Sequence, residues 1–234
     1  MKETGFDGPT GLTVISELRA LIAAELAEML QALTSRREQG EPSDIARVQG
    51  EIISSIGRVK HSAGSEAVLE ALRPAWPDLH WAAVTTLGEL QTPEALQPIT
   101  DVLSRASGAL KARAARALGM LGQRNGYRTL LPLLNDDDPS IRTQAARALG
   151  RLAVPQTRDR LFQQLLDPDE TVRFAAATSL GMLGDGRTVP FLLHAISDGD
   201  KIVQREAEAA MKKLGSSALT LSLIHISEPT RQIR

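Results

Sequence analysis

The segments WAAVTTLGEL (81–90), ARAARALGML (112–121), TQAARALGRL (143–152) and FAAATSLGML (174–183) are variants of one pattern. Their glycines, Gly88, Gly119, Gly150 and Gly181, recur at a constant 31-residue period. One period earlier lies Gly57, in ISSIGRV, and one period later the register meets Lys212, with Met211 where Leu180 stood. A period held without insertion from about Val48 to Leu214 marks a repeat protein. Each period is then one supersecondary unit that buries its apolar face against its neighbours.

Two helices fill each period. In 110–121 the residues Leu110, Ala114, Ala117, Leu118 and Leu121 recur on one helical face. The second helix, read as 127–134 in the same period, has apolar slots at Val68, Ile99, Leu130, Leu161 and Leu192. Four residues on, the apolar slots are Leu72, Leu103, Leu134, Leu165 and Ile196. Asp138-Pro139 and Asp167-Pro168 read as helix starts, because an N-cap Asp accepts from orphan N–H groups and Pro suits the first turn. Gly122, Gly184 and Gly215 suit the left-handed residue that ends a first helix. The glycines at 57, 88, 119, 150 and 181 fall inside its last turn, where Gly costs about 1 kcal/mol against Ala. Recurrence at that cost implies close approach of a neighbouring helix.

Residues 1–12 are expected to be disordered, and 13–37 to form an N-terminal capping helix. Its face Ile15, Leu18, Ile22, Leu26, Met29 and Leu33 should cover the first repeat. RREQGEPSD (36–44) is a polar connection, after which Ile45, Val48, Ile52, Ile56 and Val59 open the first repeat. The repeats are read as 45–78, 79–109, 110–140, 141–171 and 172–202, with a partial one at 203–219. The repeat region is thus expected to span 45–219, which leaves 220–234 as a tail outside the repeats.

Leu and Ala dominate and only seven side chains are aromatic, a balance that favours packed helices over sheets. The absence of Cys excludes disulfide scaffolds, cysteine nucleophiles, zinc–thiolate sites and iron–sulfur clusters. A net charge of -1 gives the whole chain no attraction for polyanions. No apolar run reaches the ~18 residues of a membrane span, and MKETGFDGPTG (1–11) lacks the apolar core of a secretory signal. The expectation is a cytoplasmic all-α protein.

The stretches LLNDDDPSIRTQAARALGRL (133–152) and LLDPDETVRFAAATSLGMLG (165–184) resemble HEAT-like repeats of the short bacterial, phycobilin-lyase type. The shared pattern is an apolar pair, an Asp-rich turn, Val/Ile-Arg, and then a small-residue helix ending in Leu-Gly-x-Leu. The resemblance covers about 45–215 and implies a right-handed α-solenoid of helix pairs, first helices convex and second helices concave. It also implies that Arg142 and Arg173, with Lys111 at the same slot, tie repeats together by pairing with turn aspartates, Asp136–Asp138 or Asp167. Anion binding by these arginines is the alternative. LSLIHISEPTR (221–231) resembles a translated sequencing adapter, which would end the biological sequence near Thr220, within a repeat.

Reactive constellations are missing. The HEAT-like deoxyhypusine hydroxylases carry His-Glu dyads for two irons, whereas His61, His80, His194 and His225 each lack a following Glu and have no metal-ligand spacing. There is no G-x-S-x-G elbow and no phosphate-binding glycine loop. No catalytic residue, cofactor or metal is expected.

Charge is uneven: residues 1–104 carry net -7, 105–160 net +7 and 161–234 net -1. Arg113, Arg116, Arg147 and Arg151 should lie on the outer side of first helices as a solvated face, with nucleic-acid binding by 105–160 as the alternative. Placing the apolar slots inward leaves Glu66, Glu70, Gln97, Asp101, Arg128, Pro132, Asp159, Gln163, Pro190 and His194 facing the groove of the second helices. That row is neither strongly charged nor aromatic and suits a protein partner. His194 reads as a surface histidine, and Trp81, at a first-helix slot shared with Ala112, Thr143 and Phe174, as partly buried. The expected function is a non-catalytic scaffold binding a protein partner through this face. The alternatives are a phycobilin-lyase-like protein handling a bilin and a nucleic-acid-binding solenoid.

Overall fold

A computed structural model describes residues 11–40 and 44–215. Of residues 1–12, expected to be disordered, 1–10 lie outside the described residues and Gly11 and Leu12 open the first helix instead; the tail at 220–234 also lies outside the described residues. Among these residues there are helices and no strand. The chain divides into two compact units, one ending at Pro98 and the other beginning at Ile99.

The first unit holds α1 (Gly11–Glu38), α2 (Asp44–Val59), α3 (Ser65–Glu70) and α4 (His80–Leu90), and the boundary falls within α5 (Leu96–Arg105). The second unit continues with α6 (Gly108–Leu121), α7 (Tyr127–Leu130), α8 (Pro139–Leu152) and α9 (Arg158–Gln163). It ends with α10 (Glu170–Leu183), α11 (Val189–Ile196) and α12 (Lys201–Leu214). The even-numbered helices are the first helices of the repeats, and in the second unit α6, α8, α10 and α12 pack side by side in order. Five 3-10 turns, beginning at Ser62, Pro93, Arg124, Pro155 and Gly186, lead into the second helices at the 31-residue period.

The inward slots behave as their spacing requires. Val68, Ile99, Leu130, Leu161 and Leu192 are fully buried, and so are the first-helix residues Leu87, Leu118, Leu149 and Leu180. Each such side chain contributes about 1.5–3 kcal/mol by leaving water. The second helix at 127–134 is shorter than its apolar pattern: α7 stops at Leu130 and a 3-10 segment, Leu131–Asn135, follows. Pro132 lacks the N–H that would bond the Arg128 carbonyl, and its ring crowds that carbonyl, so the helix cannot continue.

The in-helix glycines sit where two helices meet. A Cβ on Gly119 would stand 2.6 Å from Ala148 Cα, and one on Gly181 2.6 Å from Ala210 Cβ. Gly150 would meet Ser179 Cα at 2.7 Å, and Gly57 would meet Thr86 Oγ1 at 3.1 Å. Glycine and small residue are always 29 positions apart, so the close approach is a repeating feature. Hydroxyls reinforce it: Ser179 Oγ donates to the Ala146 carbonyl (2.8 Å) and Thr86 Oγ1 to that of Ile53 (3.1 Å).

Two expectations are corrected in the first unit. α1 buries Ala23, Ala27 and Leu30 and leaves Ile15, Leu18, Ile22 and Met29 about half exposed. Its 28 residues far outrun the 16 of α2 against which it packs. Only its C-terminal half is therefore covered, and alanines at i, i+4 permit the closest contact. Val48 turns outward, and Gln49 is fully buried in its stead. The Gln49 amide donates to Thr34 Oγ1 (3.0 Å) and accepts from Arg37 (3.1 Å), which satisfies it. Trp81 is partly buried, at 46% exposed, and Trp76 is buried, with the guanidinium groups of Arg37 and Arg73 5.8 and 5.4 Å from its ring centroid.

Candidate functional site

The turns between repeats are built on a recurring Asp-x-Asp. Asp138, Asp169 and Asp200 cap α8, α10 and α12, their carboxylates accepting from Ser140 N, from Thr171 N and Val172 N, and from Ile202 N and Val203 N. Asp167 is therefore not a helix cap, as its Pro neighbour suggested. The cap is Asp169, one period after Asp138, because the carboxylate must precede the first free N–H groups. The first aspartate of each pair accepts from the backbone N–H of the second: Asp136 from Asp138, Asp167 from Asp169, and Asp198 from Asp200.

That first aspartate also ties the repeats. Lys111 pairs with Asp136 (2.6 Å), Arg142 with Asp167 (2.8 Å) and Arg173 with Asp198 (2.9 Å), the acid always standing 25 positions further along the chain. Arg142 in addition donates to the Asp136 and Asp137 carbonyls, and Arg173 to those of Asp167 and Pro168. Each arginine thus clamps its own turn and the next. The Lys111 ammonium, hydrogen-bonded to Asp136, holds that carboxyl below its usual range, and Asp167 holds the Arg142 guanidinium above its own. With their hydrogen bonds and charges spent on the turns, these residues work as structural ties.

On the second-helix side all ten sequence-predicted groove residues reach the surface. Glu66 and Gln97 are exposed and Glu70 half exposed in the first unit. Asp101, Arg128, Pro132, Asp159, Gln163, Pro190 and His194 are exposed in the second. Some are internally engaged: Glu70 pairs with Arg73 (3.1 Å) and Asp159 with Arg158 (3.1 Å).

Two features of this surface were not legible in the row. Phe162 and Phe191 stack with ring centroids 4.3 Å apart, and His194 meets Phe162 edge-on at 6.3 Å. Phe162 follows the inward Leu161 and Phe191 precedes the inward Leu192, so they stand on facing flanks of α9 and α11, about 100° either side of the buried line. The flank positions of consecutive second helices, one after and one before the apolar slot, were the available signal. The second feature is an open cavity of about 460 Å³ lined by Arg124, Asn125, Tyr127, Arg128, Val154, Pro155 and Gln156. The Arg128 guanidinium lies 5.9 Å from the Tyr127 ring centroid, and its Nε donates to the hydroxyl (3.4 Å).

Reactive chemistry has little to work with here. His61 Nδ1 accepts from Ala63 N, and buried His80 meets the Arg73 carbonyl at 3.0 Å. Among the described residues no three His, Asp or Glu side chains come together as a metal site, and no helix is long and apolar enough to cross a membrane.

A family model for HEAT repeats matches residues 30–119, 98–161 and 127–212. None of the curated proteins matches the chain in sequence. Among solved structures the fold is similar to that in the complex of CpcE and CpcF of phycocyanin lyase from Nostoc sp. PCC7120, at 23% identity, 68% of each chain and a TM-score of 0.57. It is also similar to a designed armadillo repeat protein in complex with the peptide (KR)4, at 19% identity, 82% of this chain, 100% of that one and a TM-score of 0.59. A further engineered protein gives 18% identity, 82% of this chain, 97% of that one and a TM-score of 0.61. At such identities these likenesses concern the fold alone. The 31-residue helix pairs, the turn ladder and the match across residues 30–212 lead to one conclusion: the chain belongs to the HEAT-repeat family.

Proposed function

We propose that this HEAT-repeat chain is a non-catalytic adaptor that binds a protein partner through the exposed face of its second helices. One observation carries the reading. In each repeat the inward slot is fully buried, and the residue two positions on, Glu70, Asp101, Pro132, Gln163 or His194, is turned toward solvent. The side chains at these positions differ in character, so they supply a sequence-selective surface. Arg128 with its cavity, and the Phe162–Phe191–His194 cluster, give the row an anchor for a carboxylate and one for an apolar side chain. The likeness to a subunit complex and to a peptide-bound designed repeat protein supports a binding role without identifying a ligand.

The test is capture from a lysate of the source cell, with bound proteins identified by mass spectrometry. Glu70→Lys with Asp101→Lys, and separately Arg128→Glu with Phe191→Ser, should lose specific partners. Arg58→Glu with Lys213→Glu, on exposed first-helix positions, should retain them. Capture insensitive to all second-helix changes would refute the reading. A coloured complex with added bilin, or salt-dependent retardation of an oligonucleotide, would replace it with a different one.

A further inference from the structure

Four arginines of the second unit are drawn into ion pairs. Arg142, Arg158, Arg173 and Arg187 pair with Asp167, Asp159 and Asp185, Asp198 and Asp185 respectively. Arg116 on α6 and Arg147 and Arg151 on α8 are different. Arg116 and Arg147 stand at matching positions of adjacent first helices and Arg151 lies one turn beyond Arg147; all three reach the surface to varying degrees and make no ion pair among the described residues. They are also close enough to repel one another: burial and the charges of Arg116 and Arg147 hold the Arg151 guanidinium below its usual range. Here the three guanidiniums concentrate positive charge with no carboxylate paired to them among the described residues.

Beside this charge lies an open cavity of about 250 Å³. Arg147 and Arg151 form one wall, Phe174, Thr178 and Met182 of α10 the floor, and Glu206 of α12 the far rim. Met182 is exposed and Phe174 and Thr178 are partly so, so the floor offers apolar contact next to the guanidiniums. The single acid, Glu206, pairs with neither arginine. The small residues at 178 and 179 are what leaves the space open between α8 and α12.

We propose that the Arg116–Arg147–Arg151 cluster and the adjoining cavity are a docking site for an acidic peptide segment with an apolar side chain beside its carboxylates. Guanidinium forks match carboxylates in bidentate geometry. An apolar side chain of the peptide would fill the cavity over Phe174 and Met182. A polynucleotide fits less well, because two arginines at one notch with a third beside them do not track a backbone, and the aromatic ring present is half-buried and not open to stacking. The site lies on first helices and stands independently of the second-helix surface.

The test is fluorescence anisotropy with a short labelled peptide of alternating acidic and leucyl residues. Polyglutamate and a single-stranded oligonucleotide of equal charge serve as comparison probes. The mixed peptide should bind best, and more weakly as salt rises. Arg147→Gln with Arg151→Gln should weaken it at least about tenfold. Met182→Gln should weaken it less, and Arg58→Gln in the first unit should leave it unchanged. Circular dichroism establishes that each variant is folded. A folded double-arginine variant with undiminished affinity would overturn the site. Polyglutamate binding as well as the mixed peptide would overturn the apolar half of the proposal, and tighter binding of the oligonucleotide would overturn the peptide assignment.

Discussion

Substituting alanine for the in-helix glycines separates helix propensity from inter-repeat sterics. Propensity alone favours Ala by about 1 kcal/mol at every such position. Gly150 is where sterics should win. Its added Cβ would lie 2.5 Å from Ser179 Oγ and 2.7 Å from Ser179 Cα. Ser179 is fully buried and its hydroxyl is tied to the Ala146 carbonyl, so the side chain cannot swing aside. Restoring ordinary contact moves α10 off α8 by roughly 0.7 Å, an overpacking of the kind that costs about 1–3 kcal/mol, and it strains the Ser179 hydrogen bond as well. The net expectation for Gly150→Ala is a loss of about 1–2 kcal/mol. Gly119→Ala, facing the Ala148 backbone at 2.6 Å, should behave alike. Gly57→Ala meets no backbone, only Thr86 Oγ1 at 3.1 Å and Glu89 Oε2 at 3.4 Å, and should be near neutral. Gly50→Ala, inside α2 with nothing within 4 Å, should gain about 1 kcal/mol. Urea unfolding followed by circular dichroism reads the series, each transition being fitted separately where the two units melt apart. If Gly150→Ala is as stabilising as Gly50→Ala at an unchanged m-value, the close-approach reasoning is wrong.

Ala153 and Gln91 hold the left-handed conformation (φ 49° and 54°) at the slot where Gly122 and Gly184 end other first helices. Ala153→Gly should therefore raise stability by about 1 kcal/mol, visible as a higher Tm. Arg142→Met leaves the Asp167 carboxylate and two carbonyls without their donor and should cost about 2–3 kcal/mol in urea melts; adding Asp167→Leu should restore part of it. Hydrogen bonds from Lys111 to Asp136, from Thr171 to Asp169 and from Ile202 N to Asp200 hold these carboxyls below the ordinary value of 3.8. The unfolded chain thus takes up their protons first, so the contribution is complete above that value and lost as pH falls below it. The urea midpoint should decline below about pH 4, and less steeply in the Asp136→Asn, Asp169→Asn, Asp200→Asn triple variant. On α1, Ile15→Ser with Leu18→Ser should change thermal stability by under about 1 kcal/mol because both residues are half exposed, while Ala27→Leu should cost about 1–3 kcal/mol.

The period, the helix pairing and the inward slots are legible in the order of the residues. A buried leucine must recur wherever one repeat stacks on the next, and that requirement returns once per period along the chain itself. The same order marks the in-helix glycines, because nothing within a single helix favours Gly at the last turn. The ten groove residues could be placed on the surface for the same reason, since a helix with one buried line turns the opposite line outward. What binds there was not legible, because exposure carries no record of a ligand.

Which residue meets which is set by the packing of one helix pair on the next. The partners of Gly119 and Gly150, 29 positions on, and of Lys111, Arg142 and Arg173, 25 positions on, depend on how far one helix pair is shifted along the next. That shift distinguished Asp169 as the cap and Asp167 as the ion-pair partner, although Pro168 pointed the other way. It brought Phe162 against Phe191 from flank positions that a single-helix pattern scores as neither core nor surface. In α1 the apolar stripe was longer than the neighbour available to cover it, so the alanines, which allow the closest contact, took the buried face. Periodicity is written within each helix, but the offset between helices is set by the volumes and charges on both sides of the contact, and it exists only once they have packed.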